Sequence, residues 1–190
     1  FEGVTEEQIA PVLFEKYFGK SNYALGISFI SVSGKNYSPF ISLAYKLGVP
    51  VCIVSDNDGN TSDEIASQIR KLEQKFNCTF SPEFLSINYL HNGCDIEAEL
   101  VNHLGLVDEL KQSLVQLTVN ENDNPRYIEA KTNEFARFNN TELLEKLDST
   151  KSGYSGFLAD IIANSDKEPN QLIPQAFIDS FETIKEWRTL

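Results

Sequence analysis

The residues Gly48-Val49-Pro50-Val51-Cys52-Ile53-Val54-Ser55-Asp56-Asn57-Asp58-Gly59-Asn60 constrain this chain more than any other stretch. Val51 to Val54 is an unbroken run of β-branched and apolar side chains, the composition of a fully buried strand, and it stops abruptly at two aspartates and a Gly-Asn turn. In extended chain, residues i and i+2 point the same way, so Asp56 and Asp58 are expected to aim two carboxylates into one space. Like charges there repel unless a cation or a shared proton lies between them. A cation is the expected answer, because hard carboxylate oxygens at the C-terminal edge of a strand suit Mg2+ or Mn2+, and in open α/β sheets that edge binds ligands.

The flanking sequence repeats an α/β rhythm. Phe1-Glu2-Gly3 reads as the tail of a strand entering a turn, so a first strand is expected before Phe1. Thr5-Glu6-Glu7-Gln8 reads as a capping box for a helix with the apolar stripe Ile9, Val12, Leu13 and Tyr17, kinked by Pro11. Ile27 to Val32 reads as a strand that runs into the polar turn Ser33-Gly34-Lys35-Asn36. Ser38 is the expected N-cap of a helix with Pro39 at its first position, stopping after Leu47 at Gly48. Thr61-Ser62-Asp63-Glu64 reads as a second capping box, opening a helix that carries Ile65, Ile69, Leu72 and Phe76 on one face to about Asn77, and Phe84 to Leu90 is the next strand. Strands alternating with helices in this way predict right-handed βαβ crossovers and a parallel sheet covered on both faces.

Past residue 94 the pattern turns helical. Ile96, Leu100 and Leu104 form one stripe and Leu106 to Leu117 another. Residues 118–150 are polar, with weak stripes at Tyr127 to Phe138 and Leu143 to Leu147, and read as a surface helical insertion. The segment from Lys151 to Gly156 leads into a helix through Leu158, Ile161 and Ile162, and a last helix follows Pro174 with Phe177, Ile178, Phe181, Ile184 and Trp187 on its buried side.

A length of 190 residues suits one domain with a substantial core. No apolar run reaches membrane-spanning length and no secretory signal pattern opens the chain, so the expected location is cytoplasmic, with no membrane partner. Cys52, Cys78 and Cys94 are scattered without metal spacing, and His91 and His103 lie far from any cysteine pair, which predicts reduced thiols and no zinc. The net charge of −12 argues against DNA binding by bulk electrostatics, so DNA affinity would come from metals, a local basic stripe or another domain.

Several chemistries place two aspartates one residue apart after a strand. An EF-hand fails, because its sixth and twelfth positions, Gly and Glu, would here be Thr61 and Ser67. A dehalogenase-type phosphatase uses such a pair as nucleophile and acid, but its pattern continues with Thr or Val where this chain has Asn60. The plainest alternative is a polar loop that merely ends a strand.

The pair has company, however. Glu2-Gly3 with Thr5-Glu6, followed by a strand, a turn, a helix and then Asp56 and Asp58, resembles a Toprim domain, in which a glutamate after the first strand faces an Asp-x-Asp pair after a later one. Residues 2–8, the Ile30 to Asn36 stretch and Val49 to Asp58 are similar to the OLD (overcoming lysogenization defect) family of ATP-dependent nucleases. Shorter echoes follow at Asp95-Ile96-Glu97-Ala98-Glu99-Leu100 and at Lys151 before Leu158-Ala159-Asp160.

This resemblance implies an α/β fold, a Rossmann-like Toprim domain with a mostly parallel sheet flanked by helices. Its core would span 1–117 without the first strand, with a helical insertion at 118–150 and completing helices at 151–190. It further implies that Glu2, Glu6, Asp56, Asp58 and Glu97 hold Mg2+ or Mn2+, two ions in all, with Asp95 and Glu99 as further candidate ligands. Lys151 would stabilise charge building on a phosphate, and Lys35 would be a surface lysine able to touch DNA. Phosphodiester hydrolysis by two cations roughly 3.5–4 Å apart needs several convergent carboxylates of this kind. Asp95 and Glu99 share a face without Glu97 if their segment is helical, whereas all three acids share one if it is extended. For Glu6 the competing expectation is a first-turn acid favoured by the helix dipole. Convergent acids without metal are expected to raise their own pKa values or to push apart the loops after Asp58 and around Gly93.

The implied activity is a metal-dependent DNA endonuclease or nickase serving phage defence or DNA repair. The implied partners are DNA, an ABC-type ATPase domain in the same full-length protein, further copies assembled through that domain, and an accessory helicase or defence protein. These residues contain no Gly-x-x-x-x-Gly-Lys-Ser/Thr phosphate loop, so the ATPase would lie elsewhere in a longer protein. The alternatives are a catalytically degenerate Toprim acting as an interaction or assembly module, and another Toprim enzyme of the primase or topoisomerase kind.

Overall fold

In the computed structural model, residues 1–91, 95–120 and 122–188 are described. Two parallel strands, β1 (Val51–Ser55) and β2 (Leu85–Tyr89), pair in register from Val51 opposite Leu85 to Ser55 opposite Tyr89. Helix α3 (Thr61–Phe76) connects them. The expected βαβ unit is therefore present at its expected position.

Both faces of β1 are covered, as its apolar run requires. Ile53 packs with Tyr37, Ile41, Ile65 and Leu72, whereas its neighbour Val54 belongs to a separate, larger core. Successive strand residues point to opposite faces, so the two cores lie on opposite sides of the sheet. The smaller one is built by α2 (Ser38–Leu47) and α3. The larger one draws on α1 (Val4–Phe18), the helices beyond residue 95, and α10 (Gln175–Arg188), which packs on both strands. Each fully buried Leu, Ile or Phe there contributes roughly 1.5–3 kcal/mol of hydrophobic stabilisation.

Three local expectations are corrected. Helix α1 starts two residues earlier than a Thr5 cap would give: Gly3 is the N-cap, and Glu6 reaches back so that its Oε1 accepts from the Gly3 N–H at 3.2 Å. The helix then runs on through Pro11. Residues 27–32 are extended, with Ile27 and Phe29 packed inward and Ile30 exposed, but they form no regular strand. A strand needs a continuous ladder, and the backbone bonds here are broken up: the Ile27 N–H turns back to Asn22 O at 2.9 Å, while Phe1 N to Ile30 O at 2.9 Å, Val32 N to Phe1 O at 2.9 Å and, just beyond the segment, Gly34 N to Glu2 O at 3.0 Å reach only the first two residues of the chain. Leu104 leaves its expected stripe and is 81% exposed, because α4 (Ile96–Asn102) ends before it and a 3-10 turn (Leu104–Leu106) swings Leu106 into the core instead. Glycine is obligatory in that turn, since a Cβ on Gly105 would lie 1.9 Å from the Gln171 carbonyl oxygen.

Then come α5 (Val107–Thr118), α6 (Pro125–Ala136), α7 (Asn140–Thr150), a 3-10 turn (Lys151–Tyr154), α8 (Ser155–Ala163) and α9 (Pro169–Leu172). The 118–150 stretch is not only a surface layer: Phe135, Leu143 and Leu147 are fully buried in the larger core. Its weak stripes follow from that arrangement, because each helix inserts just one or two side chains. Cys52 and Cys78 are free thiols, while Cys94 and the loop expected around Gly93 lie outside the described residues. His91 faces Asp179 at 3.3 Å, and His103 lies 3.0 Å from the Gln171 carbonyl. No described helix is long and apolar enough to cross a membrane.

Candidate metal centre

Beyond the C-terminal end of β1, four chain segments converge on one cleft of about 420 Å3. Glu2 and Glu6 come from the start of the chain and the first turn of α1, Asp56 from the residue after β1, Glu97 from the first turn of α4, and Asp148 and Lys151 from the end of α7. Five of these six side chains are carboxylates, in line with the expectation that acids from distant parts of the sequence meet here.

The cleft is built for charge that it does not itself neutralise. Glu2 Oε2 and Asp56 Oδ1 are buried and accept no hydrogen bond from the described residues. Burial pushes the Asp56 carboxyl up to about 7, and the neighbouring Glu2, Glu6, Asp95 and Asp58 push in the same direction. Glu2 is likewise raised, chiefly by burial, although Lys35 pulls it the other way. Burial raises Glu97 too, opposed in part by the Tyr154 hydroxyl, which donates to Glu97 Oε1 at 3.1 Å.

The three acids around residue 97 now separate. Asp95 caps α4, its Oδ1 accepting from the Ala98 N–H at 2.8 Å, a contact of the kind that stabilises a helix by about 1 kcal/mol. Glu99 is fully buried and does not line the cleft. Glu97 does. The helical conformation of 96–102 explains the split, since neighbours two residues apart on a helix face different ways.

Asp56 and Asp58 do not share one space as extended chain would have them. The strand ends at Ser55, and the loop turns Asp58 outward, where its Oδ1 accepts from Lys35 Nζ and from Thr61 Oγ1. Lys35 Nζ also donates to Thr61 Oγ1 at 2.7 Å, and these contacts hold the Asp58 carboxyl below its usual range. Lys35 is thus an anchored counter-charge and not the free surface lysine expected. Its turn is clamped by Gln68 of α3, which donates from Nε2 to the Lys35 carbonyl at 2.7 Å and accepts at Oε1 from the Tyr37 and Ser38 N–H groups at 2.9 and 3.1 Å. Lys151 sits at the cleft with φ of 52° and ψ of −133°, a backbone conformation that a residue with a Cβ adopts only under strain.

Among the described residues no three His, Cys, Asp or Glu side chains already stand together at metal-ligating spacing. The donor set still fits a hard divalent cation. It is all oxygen, it carries excess negative charge, and its two orphaned oxygens lack the partner that buried polar atoms ordinarily have. Sequence reading missed Asp148, Tyr154 and Gln68. No spacing signal marks them, because each acts across a tertiary contact.

Comparison with known proteins agrees with this architecture. Residues 1–58 match the family model described as overcoming lysogenization defect protein-like, TOPRIM domain. The C-terminal region of the Burkholderia pseudomallei OLD protein is similar over 97% of this chain and 94% of that one, with a TM-score of 0.62 at 20% identity. That of the Xanthomonas campestris pv. campestris OLD protein is similar over 97% and 89%, with a TM-score of 0.57 at 19% identity. No curated protein matches the sequence. The chain therefore carries an OLD-like Toprim segment at its start and, along nearly its whole length, the Toprim-type α/β fold seen in OLD C-terminal regions.

Proposed function

We propose that this chain is the nuclease portion of an ATPase-coupled protein, a DNA endonuclease or nickase that hydrolyses phosphodiester bonds with Mg2+ or Mn2+ in phage defence or DNA repair. The observation that carries this reading is the pair of buried, unsatisfied oxygens, Glu2 Oε2 and Asp56 Oδ1, in an acid-lined cleft at the end of the central strand. Glu2, Asp56 and Glu97 would hold the cation, with Glu6 beside them. Asp58 would join when its carboxylate leaves Lys35, and that exchange would open room for a second ion. A divalent cation in such a cleft supplies Lewis-acid stabilisation of the phosphate oxygens and lowers the pKa of a bound water.

The protein's own groups account for the rest. Glu6 fixes the first turn of α1 by accepting from the Gly3 N–H, which holds the Glu2 backbone at the mouth of the cleft. Lys151 brings a cation to the cleft wall, where it would stabilise charge building on a phosphate as the bond breaks. Lys35, released from Asp58, would be a second phosphate contact. With a net charge of −12, DNA would be drawn in by bound cations, these two lysines and the partner ATPase domain, through which copies would assemble. An accessory helicase or defence protein would set the trigger.

The test is nicking of supercoiled plasmid by the complete protein with Mg2+ or Mn2+. Cleavage should need the metal and should fall at least 100-fold in Asp56→Ala; undiminished cleavage in the variant overturns the reading. A second reading, a Toprim that no longer cuts and serves as an assembly module, is favoured by the Lys35 ion pair that occupies Asp58. It predicts no carboxylate-dependent Mn2+ binding at all. Primase or topoisomerase chemistry would instead leave incorporated nucleotides or a protein-linked strand.

A further inference from the structure

We infer that Tyr154 is a positioning residue of the cleft: its buried hydroxyl holds Glu97 in place and couples that carboxylate to the turn that carries Lys151. The inference rests on the metal-centre reading and deepens it. Tyr154 is fully buried, and its ring belongs to the larger core, yet its hydroxyl emerges beside the cleft and donates to Glu97 Oε1 at 3.1 Å. The cleft is walled by α4, by the first turn of α1 and by a third segment to which Tyr154 belongs, so this contact ties the third wall to α4.

That third wall is the 3-10 turn Lys151–Tyr154, whose first two residues line the cleft. The turn is pinned from its other side, where Ser155 Oγ lies within hydrogen-bond reach of the Ser152 carbonyl, at 2.7 Å, and of Gln8 Oε1 on α1. A turn fixed at Tyr154 and Ser155 leaves little freedom to Lys151, three residues earlier, and is a physical reason for its strained backbone to persist. A phenol suits this task. Its ring is anchored by core packing, so the hydroxyl cannot swing away, and it donates to a carboxylate that burial would otherwise leave under-bonded. Partners that orient metal-binding carboxylates in this manner change metal affinity roughly 10- to 100-fold when removed.

The experiment is Mn2+ titration calorimetry on the intact protein, comparing wild type, Tyr154→Phe, Glu97→Gln and the double variant. Tyr154→Phe keeps the ring and its packing, so its metal-free thermal midpoint should stay near that of wild type while its Kd for Mn2+ rises roughly tenfold or more. Because Tyr154 acts through Glu97, the double variant should bind no more weakly than Glu97→Gln alone. An unchanged Kd in Tyr154→Phe, or full additivity in the double variant, overturns the inference and leaves the metal centre standing. If wild type takes up no Mn2+, the metal centre itself falls and the inference falls with it.

Discussion

Lys35 and Asp58, on two different turns, form an ion pair just outside the cleft that Asp56 enters. Two aspartates one residue apart thus have opposite circumstances. Asp58 is exposed, paired and acidic, while Asp56 is half-buried, unpaired at Oδ1 and hard to ionise. In the proposed centre the ammonium group would take part of the role of a metal and would compete with one.

Replacing Lys35 tests that competition. Lys35→Met removes a positive charge that acts on Glu2, Asp58 and Asp56 together. Mn2+ should then bind roughly 2- to 10-fold more tightly, since a partly screened charge at this range is worth about 0.5–1.5 kcal/mol. Titration calorimetry measures it. Weaker binding in the variant would show that Lys35 supports the cation site and does not oppose it.

The pH dependence of the metal-free protein follows from Asp56. Its carboxyl titrates near 7 in the fold against about 3.9 in an unfolded chain, so between those values the unfolded chain gives up a proton that the folded one keeps. Stability from this group is full below about pH 4 and is lost as pH rises to about 7. Glu2 and Glu97 shift in the same direction. In EDTA, the difference in thermal midpoint between Asp56→Asn and wild type should grow in favour of the variant from pH 5 to pH 8. A difference that does not move with pH contradicts the assignment.

The 118–150 segment makes a separate prediction. Leu147 is fully buried in the larger core, whereas Tyr127 on α6 is 43% exposed. Leu147→Ala should cost about 2–5 kcal/mol in denaturant unfolding, and Tyr127→Ala within about 0.5 kcal/mol. Equal small effects would return this segment to the surface.

The sequence made β1, α3 and β2 legible because an apolar run, capping signals and a helical stripe all agreed over 51–90. It also named Glu2, Asp56 and Glu97 from distant segments, and the fold brings these three to one cleft. It misled where a rule of local geometry was carried past the end of an element. The alternation that would align Asp56 with Asp58 holds only in extended chain, and the strand stops at Ser55. Extended propensity in 27–32 was read correctly, but a ladder depends on neighbours that propensity does not record. Asp148, Gln68 and Tyr154 were invisible for a related reason: each gains its role from a partner at least 30 residues away.

The most direct test of the metal centre is the thermal midpoint of wild type and Asp56→Asn, each with EDTA and with saturating Mn2+. A cation that binds only the folded form adds about 2.7 kcal/mol when free metal is 100 times Kd. The wild-type midpoint should therefore rise with Mn2+, Asp56→Asn should lose most of that rise, and its midpoint in EDTA should equal or exceed that of wild type, because a buried, repelled carboxylate has been neutralised. If Asp56→Asn lowers the EDTA midpoint and the Mn2+ response survives, Asp56 is a loop-stabilising residue and the cleft is not a metal centre.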